Sequence, residues 1–324
     1  MVELREKIYQ MFILGTNGSG YKNALKLGLG GVIFFKDDIQ SATQFKNLIS
    51  DIKKTSKIPP FLSIDQEGGR VERTENIHNG KKYLSAKYAY EKGEKFLRTQ
   101  TENIAKELKS YGINLNFAPC LDTNTNPQNP IIGERAFSKN PNDVTKGGKI
   151  VSEIYKKNGI IPCVKHYPGH GDANADSHLT LPQIELTLEE MKKFHIKPFE
   201  NLINSGIEMI MAAHLHCKCF DSEVIPTSLS KNAISYLREV LHYDGVIISD
   251  DMVMKGVAEY GALEACIMGI RAGLNMFIYR NSDSNTIKLI EDLYHFVKSD
   301  KGLEKNVNDS YEKIKNLKMQ FNII

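Results

Sequence analysis

The sequence predicts an α/β fold, a single (β/α)8 barrel of the TIM type, on three observations. Short apolar, β-branched or aromatic runs recur eight times along the 324 residues, each followed by a polar loop and, in most cases, a helix-like segment. The runs are four to seven residues long and lack clean period-2 alternation, as expected of parallel strands covered by helices. Aspartate or histidine ends four of them: Asp65, His166, His214 and Asp250 hold the last positions of their runs. In such a barrel those positions ring the C-terminal mouth, where enzymes of this architecture build their sites. A doubly wound sheet, the second choice, would show fewer strands before a domain break.

The runs follow in order. They are MFILG (Met11 to Gly15), GVIFF (Gly31 to Phe35), FLSID (Phe61 to Asp65) and INLNFAP (Ile113 to Pro119). CVKH (Cys163 to His166), MIMAAH (Met209 to His214), GVIISD (Gly245 to Asp250) and MFIYR (Met276 to Arg280) complete the set. Helix-like segments between them include Ala42 to Lys53, Phe96 to Tyr111, Asn142 to Asn158, Leu188 to Asn204 and Lys231 to Leu241. Thr187 to Glu190 has the hydroxyl-then-acid pattern of a capping box. Gly30, Gly112, Gly159, Gly206, Gly245 and Gly273 precede strands as helix-terminating glycines. After the eighth run 44 residues remain, reading as helices such as Thr286 to Val297 and Asn308 to Lys318 that pack on the barrel over about residues 284–324. The expected organisation is one catalytic barrel over residues 1–324.

Composition is that of a soluble globular protein, 41% hydrophobic and 25% charged. The 42 basic and 39 acidic side chains leave a net charge of +3, which argues against a nucleic-acid partner held by bulk charge. Five cysteines, an odd number in a chain with its own core, argue for a reducing compartment over a disulfide framework. The charged start MVELREKIYQ is unlike a signal peptide, and no apolar stretch is long enough to span a membrane, so the expectation is a cytoplasmic protein without membrane attachment.

Four segments carry chemistry. Lys165 to Pro182, KHYPGHGDANADSHLTLP, is a long loop holding Lys165, His166, His170, Asp172, Asp176 and His178. Asp176 lies two residues from His178, close enough to orient its imidazole and favour the charged form, which makes a proton shuttle near neutral pH. SIDQEGGRVERT, Ser63 to Thr74, ends a strand at Asp65 and turns at Gly68–Gly69, with Arg70 and Arg73 in reach of the mouth. Asp65 suits sugar hydroxyls, while an Asp–Arg pair pinning the turn is an equal reading, and no Walker-type lysine follows. GVIISDDMVMKG, Gly245 to Gly256, ends in Asp250 and Asp251; strand parity sends only one of them to the mouth without saying which. HLHCKC, His214 to Cys219, allows a zinc site on His214 and His216, although an ordinary strand end with reduced cysteines is the better reading.

These motifs together resemble glycoside hydrolase family 3, specifically its single-domain bacterial β-N-acetylhexosaminidases. The matching runs are DQEGGRV (Asp65 to Val71), LNFAPCLD (Leu115 to Asp122), GERAF (Gly133 to Phe137), KHYPGHG with DSH (Lys165 to His178), and TSLS with YDGVIISDDM (Thr227 to Met252). The resemblance runs from about Met11 to Asn281. It implies retaining hydrolysis of terminal β-linked N-acetylglucosamine, with Asp250 as nucleophile and His178, partnered by Asp176, as acid/base. It implies sugar binding by Asp65, Arg73, Arg135, Lys165 and His166, no cofactor and no metal. Small carbohydrate substrates, muropeptide fragments of peptidoglycan recycling, follow from the same resemblance. Tyr167 stands where relatives commonly carry Phe, and KDDI (Lys36 to Ile39) departs from their usual Arg and Asn.

A histidine acid/base departs from the usual pair of carboxyl groups, and its ordinary pKa near 6.5 suits the role. With the chain allotted to one barrel, the proton donor is expected from the barrel's own loops or from another subunit. The competing readings are a phosphorylase, a metal-dependent barrel hydrolase on His214, His216 and Cys217, and a non-catalytic sugar-binding barrel.

Overall fold

The computed structural model describes residues 2–78, 82–173 and 181–324. Eight parallel strands close into a barrel in chain order, the last pairing with the first. They are β1 (Phe12–Asn17), β2 (Gly31–Phe34), β3 (Phe61–Ile64), β4 (Leu115–Asn116), β5 (Ile161–Tyr167), β6 (Met209–Ala212), β7 (Val246–Asp251) and β8 (Met276–Asn281). Each coincides with one of the eight apolar runs, and closure excludes the doubly wound alternative. Their side chains are almost uniformly buried along each strand, because one face fills the barrel and the other meets the helices.

The run Ile113 to Pro119 yields a ladder of only two residues, Leu115–Asn116. Two side-chain amides stand in for the missing ladder. Asn116 accepts from the Gln66 amide and donates to the Gln66 carbonyl, both at 2.9 Å, and Asn114 accepts from the Leu62 amide at 2.8 Å. Pro119, without an N–H, cannot extend the pairing.

Three strands each carry one extra residue against a neighbour. On β5, three steps from Val164 to Tyr167 match two on β6, from Ile210 to Ala212. On β7, Ile248 to Asp251 spans three steps against two on β8, and on β1 Leu14 to Asn17 does the same. Such bulges break alternation and re-aim side chains at a barrel rim. They decide the site.

Helices Ala42–Thr55, Glu94–Tyr111 and Pro141–Lys157 cover the barrel where expected. The expected helix Leu188 to Asn204 begins with the anticipated Thr187–Glu190 capping box but is interrupted by a wider, π-helical turn over Met191–Ile196. Pro198 explains this, since it offers no N–H to the carbonyl four residues back. At the opposite end from the mouth, helix Lys301–Gln320 closes the barrel floor. Its Ser310 accepts from Asn275 at 3.1 Å, and Lys318 donates to Gln10 Oε1 and the Pro59 carbonyl, each at 2.8 Å. No helix among the described residues is long and apolar enough to cross a membrane.

Candidate active site

A cavity of about 170 Å³ opens at the C-terminal mouth. Its polar lining is Asp65, Arg73, Arg135, Lys165, His166, His170, Asp250, Asp251 and Arg280; Ile33, Phe35, Met211 and Ile278 are among its apolar contributors. Six of the eight residues singled out by sequence, Asp65, Arg73, Arg135, Lys165, His166 and Asp250, are thus brought together from separate loops and strands. The other two, Asp176 and His178, lie outside the described residues.

The strand ends differ in detail from the sequence reading. Asp65 is one residue past β3, while His166 and Asp250 are penultimate in β5 and β7. His214 lies two residues past β6 and does not line the cavity; its Nδ1 pairs with Ser228 Oγ at 2.7 Å. The β5 bulge lets the consecutive Lys165 and His166 both face the cavity.

The parity expectation for Asp250 and Asp251 fails for the same reason: with one extra residue in β7, both border the cavity. Their partners separate them. Asp251 is buried and engaged by the Arg280 side chain and by the Val253 and Arg280 amides. Asp250 has no salt-bridge partner among the described residues and accepts only the Asp251 amide, at 2.7 Å. Burial raises its carboxyl, but His166, His214, the Asp251 amide and Lys165 outweigh this and hold it below the usual range, ionised at neutral pH.

The remaining charges form one buried network. Lys165, 2% exposed, donates to Asp65 at 2.6 Å and contacts Glu67 at 2.7 Å. Arg135 grips both oxygens of Glu67, at 2.9 and 2.8 Å. Burial would raise the Glu67 carboxyl, and these two cations pull it well below the usual range instead. Lys165 is desolvated too, yet Asp65 and Glu67 raise its pKa. The turn feeding this network places Gly68 and Gly69 at φ +95° and +60°, which only glycine adopts without strain. Asp65 therefore pairs with Lys165 and not with an arginine of its own turn, and Arg70 instead donates to the Pro130 and Ile131 carbonyls.

Two carboxylates of this network were not singled out by sequence. Glu67 sits two residues past Asp65, and Asp122 lies beyond β4, a strand for which no ionisable end residue was named. A search for carboxylates just past each strand end would have found both. Asp122 is completely buried and takes His166 Nδ1 at 2.6 Å, the Cys120 thiol at 3.0 Å and the His170 amide. Burial raises its carboxyl, and His166, His170 and Cys120 bring it below the usual range. His170 is 3% exposed with neither ring nitrogen partnered among the described residues, and burial pushes its imidazole down to about 4.

Cys120, Asp122 and His166 are the described residues spaced to hold a metal ion, with ligand atoms within 4.8 Å of one another. Burial and the adjacent Asp122 charge push the Cys120 thiol far up, so it stays protonated and donates to Asp122. His214 and His216 are not drawn together in this way: His216 Nδ1 faces the Ile225 carbonyl at 3.3 Å.

Residues 3–317 match the glycosyl hydrolase family 3 N-terminal domain. The chain is 33% identical over 270 residues to Beta-hexosaminidase A of Pseudoalteromonas piscicida, an alignment covering 76% of this chain and 45% of that protein. It is 32% identical over 271 residues to the Beta-hexosaminidase of Methylococcus capsulatus, covering 82% of this chain and 79% of that protein. A glycoside hydrolase family 3 beta-N-acetylglucosaminidase from Paenibacillus sp. superposes with a TM-score of 0.93 at 29% identity, over 100% of this chain and 63% of that chain. The chain therefore spans less than half of the first relative and most of the second. With residues 3–317 matched to the family domain, on a closed barrel whose mouth gathers these charges, the chain belongs to glycosyl hydrolase family 3.

Proposed function

We propose that the chain is a retaining exo-β-N-acetylglucosaminidase that removes terminal β-linked N-acetylglucosamine. The observation that carries this is Asp250: an ionised carboxylate with no cationic partner at contact distance among the described residues, facing a cavity also lined by Asp65, Arg73, Arg135, Lys165 and His166. Relatives named beta-hexosaminidase and a structural neighbour named beta-N-acetylglucosaminidase support the same reading.

In the proposed reaction Asp250 attacks the anomeric carbon while the His178 imidazolium protonates the departing oxygen. The bond to the leaving group breaks and a glycosyl ester forms on Asp250. Neutral His178 then takes a proton from the water that hydrolyses the ester, with Asp176 biasing His178 toward the cation needed first. Lys165, Asp65, Arg73, Arg135 and His166 hold the sugar hydroxyls and the N-acetyl group. The buried network that joins Lys165, Asp65, Arg135 and His166 through Glu67 and Asp122 is preorganised, so little is spent on orienting these four when substrate arrives. The substrates proposed are muropeptide fragments from peptidoglycan recycling, met inside the cell.

The test is turnover of an aryl β-N-acetylglucosaminide by wild type and by Asp250→Ala. The variant is expected to lose roughly 10³-fold or more in kcat. A slowly released fluorinated sugar should esterify Asp250. An inactive wild type, or an Asp250→Ala enzyme with full activity, overturns the reading. Accumulation of sugar 1-phosphate in phosphate buffer would replace hydrolysis by phosphorolysis.

A further inference from the structure

We propose that Asp122 is a positioning residue that fixes the tautomer of His166. The geometry leaves His166 little choice. A carboxylate only accepts hydrogen bonds and a guanidinium only donates them. Asp122 Oδ2 lies 2.6 Å from His166 Nδ1, so Nδ1 carries the proton. Arg135 Nη2 lies 3.4 Å from Nε2, so Nε2 presents its lone pair. Arg135 cannot turn away, because Glu67 holds it through two nitrogens. His166 is therefore held as the Nδ1–H tautomer, with the single lone pair of Nε2 turned toward Arg135.

The same carboxylate does a second task. Its Oδ1 takes the backbone amide of His170, and both oxygens lie 3.3–3.4 Å from the His166 amide. Asp122 thus ties the ring of His166 to the start of the loop that follows β5. One buried side chain sets both the tautomer and the root of the segment leading toward residues 174–180.

Asp122→Asn should invert the arrangement. The amide keeps one accepting oxygen and gains two donors. The His170 and His166 amides are fixed as donors and claim that oxygen, whereas an imidazole can exchange tautomers. The NH2 group then faces Nδ1, His166 becomes an acceptor there, and its proton moves to Nε2 against Arg135.

The experiment is 15N–1H correlation of the histidine imidazoles, with the His166 signals assigned by their loss in His166→Gln. Wild type is expected to show the Nδ1–H pattern for His166, and Asp122→Asn the Nε2–H pattern. Wild-type His166 protonated at Nε2 overturns the proposal without any variant, so it stays decidable if Asp122→Asn does not fold. An unchanged pattern in a folded Asp122→Asn overturns it equally. The activity arm rests on the proposed function: kcat/KM for an aryl β-N-acetylglucosaminide should fall at least tenfold in Asp122→Asn. The spectra need no turnover, so a wild type inactive on that substrate overturns the functional reading while leaving the tautomer test standing.

Discussion

Glu67 holds two cations with one carboxylate, and each depends on it. Removing one partner of a buried ion pair strands the other charge and costs about 3–5 kcal/mol when nothing replaces it. Glu67→Gln keeps one accepting oxygen for Lys165 or Arg135 but not both, so we expect a loss at pH 7 near 2 kcal/mol in urea unfolding, the lower part of the range for unpaired buried groups. Turnover should fall by at least tenfold with it, since both cations line the cavity. The pH dependence follows from the depressed carboxyl. Its stabilisation is complete above the ordinary carboxyl range, about pH 4, and is lost as pH falls below it. The gap in unfolding free energy between wild type and Glu67→Gln should therefore narrow between pH 5 and pH 3. His170 shifts in the same sense. With its imidazole pushed down to about 4, the unfolded chain binds the extra proton first, so stability is complete above about pH 6.5 and is lost as pH falls toward 4. His170→Gln should lack this component, on the order of 3 kcal/mol across that window, and melt with a flatter pH profile.

At the scale of elements, what positions the site is three single-residue bulges, and these were the least legible features of the sequence. Alternation along GVIISDD argued that one of Asp250 and Asp251 faces the mouth. The extra residue in β7 is set by the register of β8, which the segment itself does not encode. The strands were legible because burial on both faces needs unbroken apolar runs. The helix ends were legible at Gly112, Gly159, Gly206 and Gly273, all left-handed. Gly30 and Gly245 do not adopt that conformation; a Cβ there would lie 2.1 Å from the Gln10 carbonyl oxygen and 2.4 Å from the Tyr243 hydroxyl. Close approach is the reason for glycine there. The β1 bulge tests the same idea. A Cβ on Gly15 would lie 2.0 Å from the Arg280 carbonyl oxygen, a backbone atom that cannot step aside. Gly15→Ala should shift the β8 rim and cost about 1–3 kcal/mol, read as a lower urea midpoint with an unchanged slope. Wild-type stability in that variant would mean that the two strands tolerate separation at the bulge.

Across the whole molecule the barrel is polarised: charges gather at the mouth, and the floor is closed by the Lys301–Gln320 helix. Eight strand–helix units are countable in the chain, and the polar residues that end the apolar runs mark the mouth in the sequence alone. The pairing of Glu67 with Lys165 and Arg135, and of Asp122 with His166, was not countable. Those partners lie 44 to 98 positions apart and meet only when the ring closes. The same holds for the floor, where Lys318 reaches across the barrel to residues near the beginning of the chain. It is fully buried, donates to Gln10 and to the Pro59 carbonyl, and stands 4.9 Å over the Phe61 ring. Its salt bridges among the described residues number none, and burial pushes its ammonium down to about 7. Between that value and the ordinary lysine value near 10.4, the unfolded chain holds a proton that the folded chain has released, so folding gains as pH rises through the interval. Lys318→Met removes the titration while filling a similar volume. Thermal unfolding of both proteins from pH 6.5 to 9.5 should show wild type gaining on the variant by at least about 1 kcal/mol as pH rises. A constant difference over that range would mean that Lys318 stays charged beneath the barrel, held by its two oxygen acceptors and the Phe61 ring.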